Sequence, residues 1–108
     1  MKDVDVKIKI VLKDKGNLLA NATIHVSTYD YGFITIKSFQ IWKSHILNNR
    51  LKDNVNIQPP GKVAYGHYYP HVFFEDIQKW YELEQEIYLA YLDKKNENEE
   101  IDVSKINI

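Results

Sequence analysis

The chain has 108 residues, 44% of them apolar and 27% charged, which are the proportions of one folded globular domain. It contains no cysteine, so thiol catalysis, cysteine-held zinc, iron–sulfur ligation and disulfides are excluded. Its formal net charge of −1 conceals two opposed parts: residues 1–71 carry ten Lys or Arg against five acids, and residues 72–108 four Lys against ten acids.

Val4, Val6, Ile8 and Ile10 alternate with Asp5, Lys7 and Lys9, the period of a strand with one buried and one charged face. Lys7 and Lys9 also break the only early apolar run, and no uncharged stretch is apolar enough to cross a bilayer. Neither a signal peptide nor a membrane span is expected, and a cytoplasmic protein is. Asp14-Lys15-Gly16-Asn17 supplies a turn. Leu18 to Tyr29 reads as a second strand, with Leu18, Ala20, Ala22, Ile24 and Val26 on one face. Asp30-Tyr31-Gly32 turns the chain into a third strand, Phe33 to Lys43, rich in β-branched and aromatic residues. Short connections between successive strands favour an antiparallel meander.

Ser44 to Asn54 is polar, includes Arg50 and Lys52, and reads as a loop. Val55 to Gln58 is a short fourth strand that Pro59-Pro60-Gly61 ends. The aromatic segment from Lys62 to His71 is expected to be irregular, because Gly66 and Pro70 interrupt it. Val72-Phe73-Phe74 is either a last short strand or the lead into a helix.

From Glu75 to Lys95 the period becomes helical, with acids at the start and Lys94-Lys95 at the end, as the helix dipole favours. Phe73, Ile77, Trp80, Ile87, Tyr88 and Tyr91 fall within about 60° of one line. Tyr81, Leu83, Ala90 and Leu92 widen the stripe to roughly 200°. Either a second subunit covers part of that stripe, or Tyr81 and Tyr88 sit at the core margin with solvated hydroxyls. Glu84 falls near its middle. It bends to water, accepts hydrogen bonds from tyrosine hydroxyls, or serves as a carboxylate of raised pKa. Beyond Lys95 an acidic, polar break leads to Ile101, Val103, Ile106 and Ile108, read as a tail or a short terminal strand.

The architecture expected is therefore α+β: an antiparallel β-meander of four to five strands with one C-terminal helix packed on it. Residues 1–95 form the domain and residues 96–108 the tail, and a homodimer is expected.

No nucleophile elbow, phosphate-binding glycine loop or His-Glu-x-x-His pattern occurs, so no enzymatic activity, cofactor or metal is expected. His67 and His71 have a spacing that suits a metal on a helix, but Pro70 lies between them in a loop. Nucleic-acid binding has better material, since it needs cations for phosphates and flat rings for unstacked bases. Arg50, Lys52, Lys62, Tyr65, His67, Tyr68, Tyr69 and His71 supply both within a short span. Lys37 and Lys43 add to them, and Lys7, Lys9 and Lys13, beside Asp5, form a second basic strip. The alternative is a protein-interaction module that uses the wide helix face and the tyrosine-rich segment.

The order of segments carries a resemblance. Ile36-Lys37-Ser38-Phe39-Gln40-Ile41-Trp42-Lys43-Ser44 leads through Asn56-Ile57-Gln58-Pro59-Pro60 to Val72-Phe73-Phe74. The helix with Trp80-Tyr81-Glu82-Leu83-Glu84 and Ile87-Tyr88-Leu89-Ala90-Tyr91 follows. Over about residues 4–92 this resembles the SpoVG family, stage V sporulation protein G or septation regulator. The resemblance implies a small α+β dimer that binds DNA, and in some members RNA, as a regulator without enzymatic activity. On that basis Arg50, Lys52, Lys62, Lys37, Lys43, Lys94 and Lys95 are expected to contact phosphates. Tyr65, His67 and Tyr68 are expected to stack on or hydrogen-bond bases. Two departures stand out: Pro60-Gly61-Lys62 replaces the family's Ser-Lys-Lys-like loop, and Asn96 to Asp102 is acidic where the family is often basic.

Overall fold

A computed structural model describes residues 6–107, with side chains except at position 14 and at 98–107. Expectations resting on Val4, Asp5, Ile108 and the side chains of Ile101, Val103 and Ile106 fall outside what is described. Four strands form one antiparallel sheet in chain order: β1 (Val6–Lys15), β2 (Leu18–Thr28), β3 (Gly32–Asn48) and β4 (Asp53–Gln58). A separate hairpin of β5 (Gly61–Ala64) and β6 (His67–Pro70) follows, then the helix α1 (Ile77–Asn107). The expected α+β meander with one C-terminal helix is the observed architecture.

Period-two alternation makes the core. Ile10, Ala20, Ala22, Ile24, Phe39, Ile41, Val55 and Ile57 point to the helix side and are buried there with Ile87, Tyr88 and Tyr91. Two bulges set the register of β2 against β3. Ile24 pairs with Ile36 and Ala22 with Phe39, so β3 carries one extra residue at Lys37-Ser38. Ser38 takes a φ of 76° to accommodate it, and the slip lets Ile36 and Phe39, three apart, face the core together. Near the start of β2 the extra residue is Leu19, because Leu18 pairs with Trp42 and Ala20 with Ile41. Leu19, expected outside, therefore packs at the core edge while Leu18 does not.

Three expectations are corrected. Ser44 to Asn54 is not a loop: β3 runs to Asn48, bulging at residues 44–47, and only residues 49–52 turn. Asn48 organises that turn, its Oδ1 accepting from the Arg50 and Leu51 amides at 3.0 and 3.2 Å. Lys62 to His71 is not irregular, because Tyr65 and Gly66 adopt φ of 53° and 77°. Positive φ at both central residues is the two-residue turn that matches strand twist. Tyr68 lies against Gly61, where a Cβ would come within 2.7 Å of its ring and 2.6 Å of the Tyr69 carbonyl. Finally, the helix does not stop near Lys95 but continues through the acidic segment, so residues 96–107 are neither a strand nor a break.

The helix begins at an Asp76 cap, whose Oδ1 accepts from the Gln78 amide at 3.1 Å. Val72-Phe73-Phe74 leads into it without forming a strand. Phe74, not Phe73, turns inward against Trp80, with ring centroids 5.1 Å apart, and Trp80 stacks on Phe39 at 6.4 Å. Phe73 and Ile77, expected on the buried line, are 74% and 54% exposed. They precede or open the first turn, beyond the part of α1 that lies on the sheet.

Candidate functional site

The expected cationic residues do not converge. Arg50 turns inward: its Nε and terminal nitrogen donate to the two Glu84 carboxylate oxygens at 2.8 and 2.9 Å. Asn48 Nδ2 donates to the same carboxylate at 3.4 Å. Glu84 is 1% exposed and the Arg50 side chain 45%, and the guanidinium lies 4.3 Å over the Tyr81 ring. The hydrogen bonds to Glu84 raise the Arg50 pKa further, against the opposing effect of burial. A fork–fork pair of this kind fixes how the helix seats on the β3–β4 turn. It corrects the expectation of Arg50 as a phosphate contact and of Glu84 as a free or tyrosine-bonded carboxylate.

Tyr88 is buried and its hydroxyl donates to Asp53 Oδ2 at 2.8 Å. Burial, then that hydrogen bond, pushes its pKa up to about 12. Tyr81 and Tyr88 thus both find partners within the chain, so the breadth of the helix stripe at these positions needs no second subunit.

The other expected contacts are dispersed. Lys43 pairs with Val55, a core residue, and so lies on the helix side of the sheet. Lys52 is exposed in the β3–β4 turn, with a φ of 58°. Lys62 is on β5. Lys94 pairs with Glu97 at 3.6 Å, and Lys95 approaches the Tyr91 ring at 6.0 Å. Tyr68 is not free to stack on a base: its hydroxyl donates to the Pro59 carbonyl, and burial raises its pKa. Tyr65, 95% exposed at the hairpin tip, and His67, edge-on to Tyr69 at 6.3 Å, remain open.

Of the residues that the resemblance nominated, only Lys37 joins the Lys7–Lys9 strip in the cationic surface that the fold assembles among the described residues. This is the face of the four-stranded sheet opposite the helix. Register places Lys7 beside His25, which has Thr35 on its other side, Lys9 beside Thr23, and Lys37 in the bulge across from Thr23. With strands about 4.8 Å apart, Lys9 and Lys37 stand about 10 Å from each other. Lys7 Nζ is 5.8 Å from the centre of the Phe33 ring, which is 57% exposed. His25 Nδ1 and Thr35 Oγ1 share a hydrogen bond at 2.9 Å. Trp42, on the same face near the other end of β3, donates from Nε1 to Gln40 at 3.3 Å. Asn54, Asn56 and Gln58 alternate with buried Val55 and Ile57 and complete the face on β4. Among the described residues, no acid occupies an outward position on these four strands.

Sequence reasoning found Lys7 and Lys9 as a strip but missed Phe33, His25 and Trp42. The available signal was parity: once the bulge is placed, these fall on the side opposite Ile24 and Ile41. Among the described residues no three His, Asp or Glu gather to hold a metal, and no helix is long and apolar enough to cross a membrane. Compared with protein-family models, curated proteins and solved structures, the chain matches none of them.

Proposed function

We propose that the protein binds nucleic acid through the open face of its four-stranded sheet and acts as a non-enzymatic regulator. One observation carries the reading: three lysines on two strands, Lys7 and Lys9 on β1 and Lys37 on β3, flank exposed or half-buried rings on a surface without a described acid. Lysines neutralise phosphates and release counterions, while rings accept bases. The acidic side of the molecule, the helix with Glu82, Glu86 and Asp93 exposed, lies behind the sheet and orients a polyanion toward the open face. The resemblance to SpoVG proteins, in the order of segments from Ile36 to Tyr91, adds the regulator's role to the proposal. The contacts proposed differ from those the resemblance implied, because Arg50 and Tyr68 are already engaged.

A salt-titrated anisotropy assay with labelled oligonucleotides tests it. About three phosphate contacts give a log–log slope of roughly −2 to −3. The K7E/K9E/K37E variant should lose binding at least tenfold while its melting temperature hardly changes. Binding that ignores salt, or that survives this variant unchanged, refutes the proposal and favours a protein-interaction module.

A further inference from the structure

We infer that the nucleic acid taken by this face is single-stranded, laid along β3 with bases against Phe33 at one end and Trp42 at the other. The inference rests on the nucleic-acid reading above and names the form of ligand. The first argument is width. The major groove of B-DNA, about 12 Å wide, admits a helix or a two-stranded ribbon. Four strands spaced about 4.8 Å apart span about 14 Å between the outer axes before side chains are added. The face that carries the lysines is too broad to enter that groove, and the one narrow ribbon, β5–β6, contributes only Lys62 as a Lys or Arg.

The second argument is the rings. Phe33 is 57% exposed with an ammonium group 5.8 Å from its centre. A duplex hides the base faces that such a ring would meet, whereas an unpaired base offers them. The third is the placement of charge. Lys7 lies beside Phe33, and Lys9 and Lys37 lie between Phe33 and Trp42 along the strand direction. Phe33 and Trp42 are nine residues apart on β3, about 25–30 Å after the bulge. That track suits about four nucleotides, the low end of single-strand site sizes, with phosphates over the lysines and bases over the rings. The rings and lysines engage bases and phosphates, which DNA and RNA share, so single strands of both are admitted.

The test uses the full chain at 50 mM salt with oligo(dT), oligo(U) and a mixed-sequence duplex of equal nucleotide count. Tryptophan emission is followed throughout. Trp80 is packed against Phe39 and Phe74, so a base that stacks on the open face quenches Trp42. The expected result is single-strand binding at least tenfold tighter than duplex binding, with quenching that W42F abolishes. F33A, at an exposed position, should weaken single-strand binding roughly five- to tenfold with an unchanged circular dichroism spectrum. Should either variant fail to fold, quenching and strand preference in the unaltered chain still decide. Equal or tighter duplex binding overturns the inference but leaves the nucleic-acid reading standing. So does single-strand binding without quenching. No binding of any probe removes both.

Discussion

The two faces of the β1–β4 sheet are built from the same strands one residue out of step, yet they differ in every chemical respect. On the helix side stand Ile24, Phe39, Ile41 and Ile57, each 4% exposed or less. Two carboxylates there are satisfied within the chain, Glu84 by Arg50 and Asp53 by Tyr88. On the open side stand Lys7, Lys9, Thr35, Asn56 and the Lys37 bulge. The contrast teaches that parity along a strand separates stability from ligand contact. A one-residue slip would exchange the two, and the Lys37-Ser38 bulge is the place where β3 takes such a slip and keeps both faces intact.

That division can be broken most sharply by truncation. Phe39→Ala should cost about 3–5 kcal/mol of stability in urea unfolding, as for a fully buried aromatic. Lys9→Ala, close by on the other face, should change stability by less than about 0.5 kcal/mol. Comparable losses would mean that the open face is packed against something in solution.

The polar part of the covered face comes next. Arg50→Ala leaves the Glu84 carboxylate buried without its partner, which costs about 3–5 kcal/mol at fully buried pairs. Arg50 is nearly half exposed, so water reaches the gap and about 2–3 kcal/mol is expected. Adding Glu84→Gln to the same chain should recover part of the loss, because the unpaired charge is gone. No recovery would show that packing of the guanidinium on Tyr81, and not charge, holds the helix.

The smallest effect is a pH dependence. A free tyrosine titrates near 10, while folding holds the Tyr88 proton to about 12. The native state therefore keeps a proton that the unfolded chain releases. Stability from Tyr88 is complete below pH 10 and declines by roughly 2 kcal/mol as pH rises from 10 to 12. Tyr88→Phe should remove most of that slope, with the residue due to Tyr68. An unchanged slope in unfolding curves at pH 9, 10.5 and 12 would place the titrating group elsewhere.

Much of the fold was legible because it depends on short-range period. The first three strands, the Gly16 and Gly32 turns and the helix from Ile77 as far as Lys95 follow from alternation, turn chemistry and 3.6-residue spacing. The β5–β6 hairpin was not legible, since its turn is Tyr65-Gly66 where Asn-Gly or Asp-Gly is the usual signal, and each strand has four residues. The extension of β3 past Ser44 was hidden by polar residues whose partners lie across the turn. The candidate site was legible least. Proximity in the chain suggested Arg50, Lys52, Lys62, Tyr65 and Tyr68, but the fold spends Arg50 on the helix and Tyr68 on Pro59.

By itself the sequence determined which segments extend, where they turn, and that an amphipathic helix must cover one side of a meander, because those outcomes rest on neighbours a few residues away. Tertiary structure alone decided which cations are free. Whether a guanidinium meets solvent or a buried carboxylate depends on a residue 34 positions further along, and whether three lysines share a surface depends on a bulge and the register of three strands. Such pairings are contacts between distant parts of the chain, and local spacing carries no record of them.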